Sequence, residues 1–188
     1  GLKTVYVTNG YMTEDALTDL APDLDAWRVD IKAFTEEFYH KVCRARLQPV
    51  LDTTIRAKEL GLHIEVVHLM IPGLNDSRDE TIQLISWVLD NLGPDTPVHF
   101  TRFHPDFEMQ EIPATPVSTL ERAFRLAKDR GLRFPYLGNV PGHEYEQTWC
   151  PHCNNLLIGR SGYTVGPVHL DGSKCAHCGE ETGIITRI

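Results

Sequence analysis

Near the end of the chain, four cysteines stand in two pairs, Cys150-Pro-His-Cys153 and Cys175-Ala-His-Cys178, each pair separated by two residues. A turn of this spacing sets two thiolates on one side of a cation, and two such turns face to face complete a tetrahedral all-sulfur shell. Four thiolates accept zinc or iron. Zinc is the expected ion and iron the alternative, because the turns carry polar His152 and His177 and no clear apolar shell. Two disulfides are the competing use of the same cysteines, disfavoured because nothing in the chain looks secreted. His152 and His177 occupy the middle of the turns, where side chains point away from the ion, so the shell is read as cysteine only. Cys43, alone between Val42 and Arg44, is read as an inert thiol.

A second set of chemistry-bearing residues follows β-rich runs: Thr8-Asn9-Gly10, Asp30 with Lys32, Ile71-Pro72-Gly73-Leu74-Asn75-Asp76, and Arg102-Phe103-His104-Pro105. Residues two apart on a strand point to one side, so Asp30 and Lys32 share a face opposite Val29 and Ile31. Burying both charges is costly unless they pair with each other or with a ligand. An internal salt bridge and a site for a zwitterion are therefore both open. An amino-acid moiety would offer its ammonium to Asp30 and its carboxylate to Lys32, with Asn9 and His104 in reach of hydroxyl or carboxylate oxygens.

The elements that must position these residues are legible as alternation. Over residues 2–130, short β-rich runs alternate with amphipathic helical stretches, the pattern of a parallel sheet with crossover helices. Strands are expected at residues 2–7, 27–32, 63–70 and 98–103, with a further one at 134–137. Ser77 with Glu80, and Ser118 with Glu121, spell capping boxes at helix starts. Ile82, Ile85, Val88, Leu89 and Leu92 form one apolar stripe, and Leu120, Ala123, Phe124 and Ala127 another. Gly61 and Gly131 fit helix C-terminal caps. Ligands in such sheets bind beyond the carboxyl ends of the strands, which would bring the second set to one mouth.

Gly138, Pro141 and Gly142 mark a linker, after which residues 141–188 form a small β module of zinc-ribbon or rubredoxin type. Below ~40 residues a core seldom suffices, so the metal would supply much of this module's folding free energy. The 188 residues, 41% of them hydrophobic, suffice for one α/β domain with such an appendage. A net charge of −8 argues against a nucleic-acid surface. No apolar run approaches the ~20 residues of a bilayer span, and no secretory signal opens the chain. The expected setting is soluble, reducing and cytoplasmic.

Taken in order, Thr8-Asn9-Gly10, Val29-Asp30-Ile31-Lys32, Leu69-Met70-Ile71-Pro72-Gly73-Leu74-Asn75-Asp76 and Phe103-His104-Pro105 resemble radical S-adenosylmethionine (SAM) enzymes of the pyruvate formate-lyase activating type. Thr101-Arg102-Phe103-His104-Pro105, the run Gly138-Asn139-Val140-Pro141-Gly142-His143 and the terminal cysteines are similar to the AmmeMemoRadiSam-system subgroup. The resemblance implies the C-terminal part of a partial (β/α)6 barrel over residues 1–140, followed by the four-cysteine module. It further implies that a 4Fe-4S cluster reduces SAM to give a 5′-deoxyadenosyl radical for hydrogen abstraction. By position, Asn9, Asp30, Lys32 and His104 would contact the methionine or ribose part of SAM, and Ile71 would lie near the adenine.

The chain departs from that pattern in lacking the Cys-x3-Cys-x2-Cys cluster loop and the Gly-Gly-Glu-like segment. It is therefore expected to be inactive alone and to be completed by the missing N-terminal half of the barrel or a second chain, with a protein as a possible substrate. The alternative reading is a protein-interaction or electron-transfer module carried on a non-catalytic α/β domain.

Overall fold

The computed structural model describes residues 1–186. Five parallel strands form the main sheet: β1 (Val5–Thr8), β2 (Ala26–Asp30), β3 (His63–Met70), β4 (Val98–Arg102) and β5 (Pro135–Gly138), lying side by side in sequence order. The connections carry α1 (Glu14–Leu20), α2 (Glu36–Phe38), α3 (Leu47–Glu59), α4 (Arg78–Asn91) and α5 (Val117–Asp129). Parallel crossovers are right-handed, so an order that only counts upward places the crossover helices on one face.

The burial pattern agrees. Trp27, Val29, Val66, His68, Val98 and Phe100 are fully buried on the helix-covered face. Their neighbours along the strands, among them Arg28, Asp30, Glu65, His99 and Tyr136, are only half-buried on the other face. On β1, Val5 and Val7 are 56% and 61% exposed. The sheet is singly wound, with helices behind it and an uncovered inner face.

The expected strands appear with shifted ends. The span of β3 is as expected from its β-rich run, whereas β1 begins three residues late, at Val5. Thr4 is held partly by a side chain there, its amide donating to Asp25 Oδ2 at 2.8 Å. β2 stops at Asp30, but the Ile31 amide still donates to Val67 O at 3.0 Å, so the alternation continues to Lys32. Gly61 and Gly131 do end helices in the left-handed region, at φ 86° and 103°.

The capping boxes require correction. Ser77 Oγ accepts from the Glu80 amide at 3.2 Å, but Glu80 Oε1 takes the amide of Phe34 at 2.6 Å instead of closing the box. Helix α5 starts behind Pro116 with no side-chain cap, so Ser118 lies within its first turn. Thr115, just before, is occupied elsewhere: its hydroxyl donates to Met70 O at 2.5 Å and accepts from the Phe103 amide. The α4 stripe centres on Leu84, Ile85 and Val88, with Ile82 half-buried.

Beyond the sheet, the segment after Gly138 runs along α5. His143 Nε2 lies 3.3 Å from Glu121 Oε1, and Tyr145 stacks on Phe124 with ring centroids 3.8 Å apart. The terminal part comprises an antiparallel sheet of β6 (Thr148–Trp149), β7 (Leu156–Ser161) and β8 (Thr164–Val168), and a pair β9 (Leu170–Asp171) with β10 (Lys174–Cys175). Leu157, Cys150 and Cys175 form its small core, with Ile184 packed against them.

This part sits at the rim where the main strands begin. Tyr136 Oη and Thr148 Oγ1 are 3.0 Å apart, and the Arg160 guanidinium lies 5.7 Å from the centre of the Tyr136 ring. A cavity of about 500 Å³ between the two parts is lined by Asp25, His63, Pro97 and Phe134 at the strand starts, and by Ile158 and Ile184 opposite them.

Candidate functional site

At the other rim, where parallel strands end side by side, the structure gathers the residues singled out in the sequence. Asn9 follows β1, Asp30 closes β2, Ile71 follows β3 and His104 stands two residues past β4. The Lys32 ammonium meets Asp30 Oδ2 at 2.6 Å, with about a third of each side chain still exposed (37% and 31%). Of the two readings of this pair, the salt bridge exists, and both side chains remain partly open to solvent. Asn9 Oδ1 accepts from the Tyr11 amide at 3.0 Å, an Asx turn that orients the loop. His104 is exposed, and Ile71 is buried at 5% exposure.

The backbone of this rim is tied by a residue that carried no separate signal in the sequence. Asn75, 1% exposed, accepts from the Ile71 amide at 2.6 Å and donates to Lys32 O at 2.6 Å and Leu69 O at 2.8 Å. One side-chain amide thus fastens the turn after β3 to the end of β2. Tyr39 adds a second fastening, its hydroxyl accepting from the Lys32 amide at 3.1 Å. Burial pushes the Tyr39 phenol well above its ordinary range, so it stays protonated.

At the strand-start rim the four cysteine sulfurs all lie within 4.8 Å of one another. Cys150 and Cys178 sulfurs are 3.8 Å apart, and those of Cys153 and Cys175 are 3.7 Å apart. A tetrahedron with metal–sulfur bonds of ~2.3 Å has edges of about 3.8 Å. A disulfide would require ~2.0 Å. The geometry therefore fits a tetrathiolate ion and not two bridges.

Asn155 Nδ2 donates to Cys153 Sγ at 3.2 Å, and the His177 amide points to Cys175 Sγ at 3.4 Å. Such bonds orient ligand sulfurs. The Asn155 contacts draw the Cys153 thiol down to about 6, toward the thiolate that binds metal. His152 turns outward as expected, its Nε2 lying 3.1 Å from Glu181 O. His177 stacks obliquely on His169, ring centroids 5.3 Å apart. Cys43 is half-buried, and desolvation raises its pKa, in keeping with an inert thiol.

A further polar group escaped the sequence reading. His63, Glu65 and His99 project from β3 and β4 onto the inner face, with Glu65 Oε1 3.7 Å from His63 Nε2 and Oε2 3.3 Å from His99 Nε2. The alternation that singled out Asp30 and Lys32 applies equally to His63-Ile64-Glu65-Val66 and would have found the first two.

No family model matches the chain. The uncharacterized protein MJ0808 of Methanocaldococcus jannaschii is 45% identical over 187 residues, covering 98% of this chain and 55% of that protein. The chain thus spans about half the length of this curated relative.

Among solved structures, a domain of pyruvate-formate lyase-activating enzyme from Bacteroides vulgatus superposes with a TM-score of 0.64 at 12% identity, over 73% of this chain and 82% of that one. A radical SAM methyltransferase from Sphaerobacter thermophilus gives 0.58 at 16% identity, over 71% and 39%. Streptococcus suis SuiB gives 0.59 at 13% identity, over 73% and 33%. The fold is that of radical SAM domains: a mixed α/β chain built on a five-stranded parallel sheet, here accompanied by a four-cysteine group. Among the described residues no helix is long and apolar enough to cross a membrane.

Proposed function

We propose that this chain is the C-terminal portion of a radical SAM enzyme, supplying one wall of a partial (β/α)6 barrel and part of the SAM pocket. The observation that carries the reading is the partly exposed Asp30–Lys32 ion pair at the carboxyl rim of a singly wound parallel sheet. A SAM methionine moiety would meet this pair by exchange, its carboxylate taking the Lys32 ammonium and its ammonium the Asp30 carboxylate. Asn9 and His104 border the same rim and would reach ribose or carboxylate oxygens, while apolar Ile71 would face the adenine.

A complete enzyme of this class uses a 4Fe-4S cluster to cleave SAM and start hydrogen abstraction. Four of the chain's five cysteines are gathered at the opposite rim and Cys43 stands apart, so the cluster's three thiolates would come from outside this chain. The uncovered inner face and exposed Val5 and Val7 support completion by the other half of a barrel or by a second chain.

The four-cysteine group would hold structural zinc in a ribbon, with iron the alternative. A docking role for the ribbon has its own support: Tyr163, Val165 and Val168 on the β7–β8 hairpin are exposed apolar residues, suited to a protein partner or substrate.

Calorimetry with SAM tests the pocket. Asp30→Asn and Lys32→Ala should each weaken binding by about tenfold or more, in line with loss of a charge-assisted hydrogen bond worth ~1.5–3 kcal/mol. Unchanged affinity in both variants would reject the assignment. Metal analysis with a visible spectrum decides the ribbon ion, since thiolate-bound iron is coloured and zinc is not.

A further inference from the structure

Past Asp30 the strand β2 ends, and the backbone that carries Lys32 to the rim is held by other means. The polar backbone atoms of Ile31 and Lys32 are all taken, and all but one by side chains. The Ile31 amide donates to Val67 O. The Lys32 amide donates to the Tyr39 hydroxyl, and Lys32 O accepts from Asn75. The remaining atom, Ile31 O, lies 2.9 Å from Nδ1 of His68.

His68 belongs to β3 and is 0% exposed. Its ring meets Phe100 edge-on, with centroids 6.5 Å apart at 85°, which fixes the plane of the imidazole. Burial holds the ring in its neutral form against the pull of the Ile31 and Asn75 backbones toward the charged one. A neutral imidazole carries one ring proton and a carbonyl can only accept, so the proton is on Nδ1 and is donated to Ile31 O. Nε2 is then a bare acceptor, and among the described residues no aligned donor reaches it. A buried acceptor without a partner is costly, and an apolar side chain of similar volume would fill the place without that cost. What the ring supplies, and such a side chain could not, is a hydrogen bond to the residue between Asp30 and Lys32.

We propose that His68 is a positioning residue for recognition at the carboxyl rim: its Nδ1–H, bonded to Ile31 O, sets the direction in which the flanking Asp30 carboxylate and Lys32 ammonium leave the backbone. Side chains two apart share a face only while the residue between them stays extended. With its amide drawn to Val67 O and its carbonyl to the His68 ring, Ile31 is pinned at both ends from β3. Releasing the carbonyl lets this residue turn, and the 2.6 Å contact between Lys32 and Asp30 is the first to suffer, since it depends on both directions at once. On the reading that this pair seats the methionine moiety of SAM, a ring buried on the opposite, helix-covered face governs the fit without touching the ligand.

Nuclear magnetic resonance and calorimetry on the full chain test the assignment. Nitrogen-15 spectra should show the His68 ring protonated at Nδ1 alone at neutral pH. His68→Leu should shift the Asp30 carboxyl and Lys32 ammonium resonances and weaken SAM binding at least ~10-fold. His68→Asn, whose amide can donate from the Nδ1 position, should return those resonances and bring affinity to within ~3-fold of the wild type. Urea unfolding should rank the two variants the other way, because leucine fills the buried space better than the smaller asparagine. A role in packing alone would give one order in both measurements. Should His68→Leu fail to fold, His68→Gln, whose amide reaches toward the Nε2 position instead, takes its place in the comparison. A ring protonated at Nε2, Asp30 and Lys32 resonances that stay put without the donor, or affinity that follows the stability order would each overturn the proposal. If the wild type binds no SAM, the pocket reading falls, whereas the role of His68 toward the ion pair stands or falls on the resonances.

Discussion

The Glu80 carboxylate belongs to a residue 7% exposed and takes the Phe34 amide across 46 residues of chain; burial raises its pKa, opposed by that hydrogen bond and assisted by Asp76. A carboxyl whose folded pKa exceeds its unfolded one stabilises fully below the unfolded value, about 4.5, and loses that contribution as pH rises through the folded value. Glu80→Gln keeps an acceptor for Phe34 and removes the titration. Urea unfolding followed from acid to neutral pH should show the wild type losing stability relative to this variant above about pH 4.5, whereas parallel curves would refute the account. Ser77 and Glu80 were legible as a helix start, but the true partner of Glu80 was not, because it arrives from β2's far side only in the folded chain. Asn75 was hidden for the same reason: its bond to Lys32 O, just past β2, reaches a part of the chain that the local sequence does not identify as a neighbour.

At the level of elements, β3 was readable end to end because its eight residues form one unbroken β-rich run between two neighbouring strands, while β1, at the sheet's edge, lacks a second neighbour to define where it begins. Gly138 was read as the start of a linker, yet it is the last residue of β5, paired with Thr101. Its role is close approach: a Cβ there would lie 2.5 Å from Thr101 Cγ2. Gly138→Ala should therefore cost about 1–3 kcal/mol in urea unfolding, and Thr101→Ser, which deletes the opposing methyl, should recover most of it in the double variant. If the two costs simply add, the clash is not the cause. Glycine spells both turns and tight contacts, and only the neighbouring strand distinguishes them.

Across the whole molecule, the paired spacing of the cysteines was sufficient to find the metal group, because local turns create it. Its place at the strand-start rim was not legible, since that depends on how the segment after Gly138 lies along α5 and how Tyr136 meets Thr148. Removing the ion with a chelator, or replacing Cys175 by Ser, should release Leu157 and Ile184 from their shared core. Hydrogen exchange should then accelerate in β6 to β10 while β3 amides keep their protection; simultaneous loss in β3 would mean that sheet and ribbon unfold as one unit. The thiolates close one end of the strands, and Asp30 with Lys32 occupies the other. The strands between them hold the two groups a full sheet length apart, so a substitution at the carboxyl rim leaves the fastening at the opposite rim untouched.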